Sequence, residues 1–307
     1  MKTAVLFAGQ GSQFIGMGKD LYDAFPLAKE IFDTTNDILG IDIKKICFEG
    51  PEEELTKTEN TQPAILMMSY ICYKLLEQEG IKADVFGGFS LGEYSALTAA
   101  GYISYADGVK LVRDRGLIME NAVKGMSGAM AAILGLEDNQ VEEVCAKAGG
   151  IVVPANYNCP GQLVISGELS AVEKACELAK EAGAKRALML KVSGPFHSPL
   201  LKDAGVELAK TLDQVTFNKS NSKVLSNVTA LIHNPEMIKN LLVEQMYSPV
   251  KWRKSMENLL SEGYDTFIEV GPGATLTGFM KKINKEVKSV SIGSVETFNN
   301  AISSLKS

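Results

Sequence analysis

The chain has 307 residues, 46% of them hydrophobic and 22% charged, and a formal net charge of -6. Such a length suggests a large domain with a smaller one attached, and the composition excludes an intrinsically disordered chain. The acidic balance disfavours general binding to nucleic acid or an anionic membrane. Five widely spaced cysteines without a C-x-x-C pair, and only two histidines, disfavour a metal centre or a disulfide framework and suit reduced thiols in a cytoplasm.

Residues Thr3 to Ala8 form a β-prone run, too short for a signal peptide, and no later apolar stretch reaches membrane-spanning length. The run ends in Gly9-Gln10-Gly11-Ser12-Gln13, a tight loop. Phe14 stands where a dinucleotide fingerprint needs its last glycine, so a nicotinamide cofactor is disfavoured. Helical patterns follow over 19–39 and 62–79, the second with Thr61 as cap and Pro63 near its first turn. Val85 to Phe89 reads as a strand running into Ser90-Leu91-Gly92-Glu93 and then a small-residue helix.

From about Met126 the elements read strand 129–134, helix 139–148, strands 151–156 and 162–166, helix 171–182 and strand 187–192. That order, β-α-β-β-α-β, is the split arrangement of ferredoxin-like domains, which sets a small subdomain at 125–192 inside a large one made of 1–124 and 193–307. Further alternation, with strands at 224–227 and 266–270 and a break at Gly271-Pro272-Gly273, makes the large subdomain α/β with a mainly parallel sheet.

Gly88-Phe89-Ser90-Leu91-Gly92 fits G-x-S-x-G, in which glycines leave room for a sharp strand-to-helix turn that lifts a serine hydroxyl clear. Alone the pattern is weak, and a packing turn fits it too. At the helix start the Leu91 N–H is a spare donor for a developing oxyanion. A nucleophilic serine needs a base, and only two histidines are available. His233 lies in a polar turn, Ile232-His233-Asn234-Pro235, and is expected at the solvated surface. His197 lies in Gly194-Pro195-Phe196-His197-Ser198-Pro199, a stiffened loop after the last strand of the small subdomain, and is the better candidate. In the helix opened by Ser104 and Asp107, Arg115 falls on the apolar face with Leu111, Val112, Ile118 and Met119. A guanidinium aimed inward calls for an anion or strong acceptors, either a structural ion pair or a substrate carboxylate.

These motifs, with Glu93-Tyr94 and Val270-Gly271-Pro272-Gly273, occur in the order found in the malonyl-CoA:acyl-carrier-protein transacylases, which the chain resembles over nearly its whole length. The resemblance implies an α/β-hydrolase-like large subdomain and a ferredoxin-like small one. It implies Ser90 as nucleophile, His197 as base, Gln10 and Leu91 as oxyanion donors, and Arg115 as the holder of the malonyl carboxylate. The Gln245 main-chain carbonyl would orient His197. Phe196 matches malonyl rather than methylmalonyl specificity, Asn156 and Gln162 resemble the edge of the site, and Phe89 departs from the histidine of many relatives. The implied substrates are malonyl-CoA and the phosphopantetheine thiol of holo acyl carrier protein, with no metal or other cofactor, and one chain suffices for the chemistry. Carrier proteins are acidic, so Lys185 and Arg186 are candidate docking residues. Rival readings are a serine hydrolase or thioesterase, a transacylase serving polyketide rather than fatty-acid synthesis, and a non-catalytic carrier-binding module.

Overall fold

The computed structural model describes residues 2–306. Eight strands, β1 (Thr3–Phe7), β2 (Val85–Gly88), β3 (Gly128–Leu134), β4 (Val152–Cys159), β5 (Gln162–Glu168), β6 (Arg186–Met189), β7 (Thr266–Val270) and β8 (Lys288–Ile292), form two sheets. The chain divides into two compact units. One takes in the residues up to Leu117, Asp213–Leu225 and those from Leu259 onward; the other takes in Ile118–Leu212 and Ser226–Asn258.

The first unit holds a parallel sheet in the order β2-β1-β7-β8. β1 and β7 are buried along their whole length. Central strands of parallel sheets are covered on both faces, which is why Thr3-Ala4-Val5-Leu6-Phe7 reads as an unbroken apolar run rather than an alternation. The loops that follow β1 and β2 leave from the carboxyl ends of adjacent strands, the end at which open α/β sheets carry their sites. Residues 224–227, expected as a strand, contribute only a bridge from Val224 to Phe86. The long helix expected over 19–39 is instead two, Lys19–Ala24 and Pro26–Leu39. Pro26 forces its predecessor Phe25 out of helical geometry, to φ -122° and ψ 119°.

The second unit holds an antiparallel sheet in the order β4-β5-β3-β6. With the helices Asp138–Ala148 and Leu169–Glu181 it is the β-α-β-β-α-β arrangement expected. Val141, Val144 and Cys145 from one helix and Val172, Ala175, Cys176 and Ala179 from the other pack on Ala131, Ile133, Leu163 and Ile165 of the sheet. This unit extends beyond 125–192 and includes the loop carrying His197 and the helix Ile238–Gln245.

A buried carboxylate ties the parallel sheet to the helix that follows it. Glu269, 1% exposed, accepts the N–H of Leu276 at 3.0 Å and of Thr277 at 2.7 Å, capping the helix Thr275–Ile283. Burial pushes its carboxyl above the usual range, and the helix N–H groups pull the other way. Glu269→Ala strands those two donors and should lower the unfolding free energy by about 1–3 kcal/mol. Urea denaturation of both proteins checks this, and equal stabilities would refute the capping role.

Candidate active site

In the first unit the site grows from the turn after β2. Ser90 has φ 51° and ψ -106°, a left-handed conformation rare for a residue with a side chain. The flanking glycines are obligatory. A Cβ on Gly88 would stand 1.8 Å from the Gly92 carbonyl oxygen, and one on Gly92 would stand 2.2 Å from the Phe7 carbonyl oxygen. The start of the helix Leu91–Ala99 therefore lies directly against the end of β1. Leu91 is the first residue of that helix, where an N–H has no carbonyl within the helix to receive it. The loop after β1 approaches from the other side: a Cβ on Gly9 would lie 2.7 Å from the Phe89 carbonyl oxygen, so the chain entering Gln10 touches the elbow.

Arg115 sits in the same unit and is 1% exposed. Its Nη2 donates to the Ser90 Oγ at 3.3 Å, its Nη1 donates to the Gln62 Oε1 at 2.9 Å, and the guanidinium carbon lies 5.0 Å from the centre of the Tyr94 ring. Burial pushes the Tyr94 phenol up to about 12, against the pull of Arg115. Tyr94 stays neutral and serves as a platform for the cation. The neighbour of Arg115 explains how the helix Tyr105–Val123 comes so close to Gln62. A Cβ on Gly116 would stand 2.7 Å from both the Glu59 Cα and the Thr58 carbonyl oxygen at the start of the helix Thr58–Gln78. Gln62 and Tyr94 carried no assignment from sequence. The available signals were a fully buried-type position given to glutamine and the placement of Tyr94 four residues, one helical turn, after Ser90.

In the second unit His197 is 4% exposed and has φ 57°. Its Nδ1 donates to the Gln245 main-chain oxygen at 2.8 Å. A carbonyl oxygen can only accept, so Nδ1 carries the proton and, in the neutral ring, Nε2 holds the lone pair. Gln245 ends the helix Ile238–Gln245, whose last carbonyls lack partners within the helix. The histidine thus uses an acceptor that every helix end provides. The loop is held by the Ser198 Oγ, which donates to the Pro195 carbonyl at 2.6 Å, and by the contact of Pro195 with Gly128, where a Cβ would come within 2.4 Å of the proline ring.

Phe196 is buried in this unit. Asn156 lies within β4 at a shift in its pairing and is bridged to Val250. Gln162 opens β5 and accepts from the Cys159 Sγ at 3.9 Å. Lys185 and Arg186 are exposed at the start of β6. His233, expected at the surface, is buried, with 6% exposure. The Ser226 N–H donates to the Leu231 carbonyl and folds the loop back on itself, so Leu231 and Ile232 face outward and His233 turns in.

The acyl transferase domain model matches residues 5–298. The chain is 48% identical over 309 residues to the malonyl CoA-acyl carrier protein transacylase of Bacillus subtilis, covering 99% of this chain and 98% of that one. The chain belongs to the malonyl-CoA:acyl-carrier-protein transacylase family. As a member of that transacylase family it is an acyltransferase. A solved transacylase from Clostridium perfringens is 44% identical and superposes with a TM-score of 0.96, covering 100% of this chain and 98% of that one. Another solved structure is of a malonyl-transacylase in complex with its type II polyketide acyl-carrier protein; it is 40% identical with a TM-score of 0.96, covering 99% of this chain and 100% of that one. Among the described residues no group of three or more His, Cys, Asp or Glu is placed to hold a metal ion, and no helix is long and apolar enough to cross a membrane. All five cysteines are free thiols in buried positions.

The transacylase elbow should not tolerate a methyl group. Gly92→Ala forces the Cβ into the Phe7 carbonyl, and the resulting shift should cost about 1–3 kcal/mol of stability and take Ser90 out of position. A thermal melt together with labelling of Ser90 by a serine-reactive fluorophosphonate reads both effects. A normal melt with normal labelling would refute the steric account.

Proposed function

We propose that the chain transfers the malonyl group of malonyl-CoA to the phosphopantetheine thiol of an acyl carrier protein, through an ester on Ser90, in the service of fatty-acid synthesis. The observation that carries this reading is the buried Arg115, whose guanidinium reaches the Ser90 hydroxyl at 3.3 Å. A cation held beside an acyl-forming serine recognises an acyl group that itself ends in an anion, and malonyl is such a group. The names of the related transacylases and the solved carrier-protein complex support the same substrates.

In the proposed sequence His197 Nε2 takes the Ser90 proton as the oxygen attacks the thioester carbonyl. The N–H groups of Gln10 and Leu91 receive the oxyanion, the C–S bond breaks, and CoA leaves with the proton that His197 held. The carrier thiol then gives its proton to His197 and attacks the serine ester; Ser90 regains a proton as its C–O bond breaks. One thioester becomes another, so no electrons change hands and the chemistry calls for no cofactor. Gln245 holds the ring of His197 in the reactive tautomer. Phe196 and Asn156 line the acyl pocket, Phe196 disfavouring an α-methyl branch, and Lys185 and Arg186 face the acidic carrier. We take the working form to be a monomer in a reducing cytoplasm, a setting the five free thiols fit.

A hydrolase would share the elbow and the oxyanion donors but has no use for the cation at the serine. Intact-protein mass spectrometry after brief mixing with malonyl-CoA, followed by holo acyl carrier protein, separates the two. A malonyl adduct that passes to the carrier is expected; an adduct lost only to water would favour the hydrolase. Ser90→Ala should form no adduct. Arg115→Ala should still acylate from acetyl-CoA while its preference for malonyl over acetyl falls by about 30-fold or more, the loss expected for one partner of a buried charged pair. An unchanged preference would remove Arg115 from the acyl pocket.

A further inference from the structure

His197 takes its direction from the Gln245 main-chain oxygen, and that oxygen stands where a chain is ordinarily loose. The helix Ile238–Gln245 has 8 residues and stops at Gln245. Helix ends fray unless groups outside the helix hold them. Past the end, the N–H of Met246 closes on the Val243 carbonyl and that of Tyr247 on the Glu244 carbonyl, both at 3.2 Å, while the Gln245 carbonyl accepts from His197. The Gln245 side chain is fully buried, a costly place for a primary amide unless it is bonded. Its Nε2 donates to the Asn227 Oδ1 at 3.4 Å, and Asn227 is 1% exposed. The Asn227 main-chain oxygen in turn accepts the N–H of Lys251 at 2.9 Å. Asn227 thus grips both ends of the segment 245–251. Within that segment Val250 donates to the Ala155 carbonyl at 2.8 Å and accepts the Tyr157 N–H at 3.0 Å, which fastens it along β4.

We propose that Asn227 is a positioning residue for His197: its side chain holds the Gln245 amide, and through it the helix-terminal oxygen that keeps the His197 proton on Nδ1. This rests on the reading of His197 as the base in malonyl transfer and adds to it the group that keeps its acceptor in place. Asn227 is itself held on both sides. The preceding Ser226 donates its N–H to the Leu231 carbonyl and accepts the Ala230 N–H on its own carbonyl, both at 2.9 Å, and its Oγ accepts the N–H of Val228 at 3.3 Å. The helix Lys202–Leu212, which follows the His197 loop, meets the same helix end. A Cβ on Gly205 would stand 3.2 Å from the Val243 carbonyl oxygen and 2.9 Å from the Tyr247 ring. That packing sets the distance between loop and helix end, but it gives the Gln245 amide no partner. The bond to Asn227 supplies one, and a reacting group is held in place only as firmly as the residues behind it.

The test reads the histidine ring directly. With two histidines in the chain, nitrogen NMR of histidine-labelled protein resolves both rings, and the signal lost in His197→Ala assigns the one that matters. In the unaltered protein the neutral His197 ring should carry its proton on Nδ1 alone. Asn227→Leu keeps the shape of the side chain and removes the acceptor, so the ring should populate both tautomers. The kcat for malonyl transfer should fall about tenfold or more, with KM for malonyl-CoA within about twofold. Gln245→Met breaks the same contact from the other side while keeping the main-chain oxygen, and it should reproduce both effects, which serves if Asn227→Leu does not fold. The double variant should be no slower than the slower single one, because both changes remove one interaction. Folded variants that keep the single tautomer overturn the proposal, whether or not their rate falls, and so do effects of the two changes that multiply. Failure of the transacylase reading would appear elsewhere, as absence of a malonyl adduct on Ser90, while the ring signals, recorded without substrate, still report on Asn227.

Discussion

The first unit is organised around a contact between main chains with no side chain to soften it. Gly92 lies against the Phe7 carbonyl, and Gly88 faces Gly92 across the turn. Because the helix Leu91–Ala99 starts this close to the carboxyl end of β1, the chain must reverse within Phe89 and Ser90, and Ser90 takes up the strain at φ 51°. Local strain of this kind costs on the order of 1–3 kcal/mol and persists only where the surroundings enforce it. Here a fully buried β1, paired on both sides, enforces it. The same geometry leaves Leu91 in a helical first turn and puts Tyr94 one turn below the serine.

Burying a guanidinium is the second constraint, and it explains residues that the elbow does not. A charge removed from water is tolerable only among acceptors, counter-charges or polarisable faces. Arg115 has a carbonyl oxygen from Gln62, a hydroxyl from Ser90 and the ring of Tyr94. Together they fix the direction of the guanidinium. Gly116 completes the device, since only a glycine lets the helix bearing Arg115 approach the helix bearing Gln62 so closely.

Much of this was legible in the sequence because it depends on local pattern. The apolar run of β1, the G-x-S-x-G turn and the β-α-β-β-α-β order are each set by neighbours a few residues apart. The inward angle of Arg115 followed from helical periodicity alone. The residues that escaped owe their roles to distant contacts. Gln62 matters because of Arg115, 53 positions away, and His233 is buried because its loop closes on Ser226 rather than because its own tripeptide is apolar. The reach of the second unit beyond 192 escaped for the same reason, since residues 226–258 join it through pairings such as Val250 with Asn156. β8 was missed because its Lys288-Ser289-Val290-Ser291-Ile292 pattern is that of a half-exposed edge, too polar beside the buried strands to stand out.

The partner of His197 is a main-chain oxygen rather than a carboxylate. Hydrolases commonly orient their histidine with a carboxylate, whose negative charge also stabilises the imidazolium. A main-chain carbonyl orients the ring equally well, fixing the proton on Nδ1, and adds no net charge. The proposed base must give up in each half-reaction the proton it has just taken, and a fixed acceptor at Nδ1 leaves Nε2 as the nitrogen that takes and returns it in both directions. A helix end is a fixed, neutral acceptor, and the positive φ of His197 is the strain accepted to point the ring at it. Both proposed reacting residues, Ser90 and His197, therefore stand in left-handed backbone geometry, one enforced by a parallel sheet and the other by a proline-stiffened loop against a helix terminus.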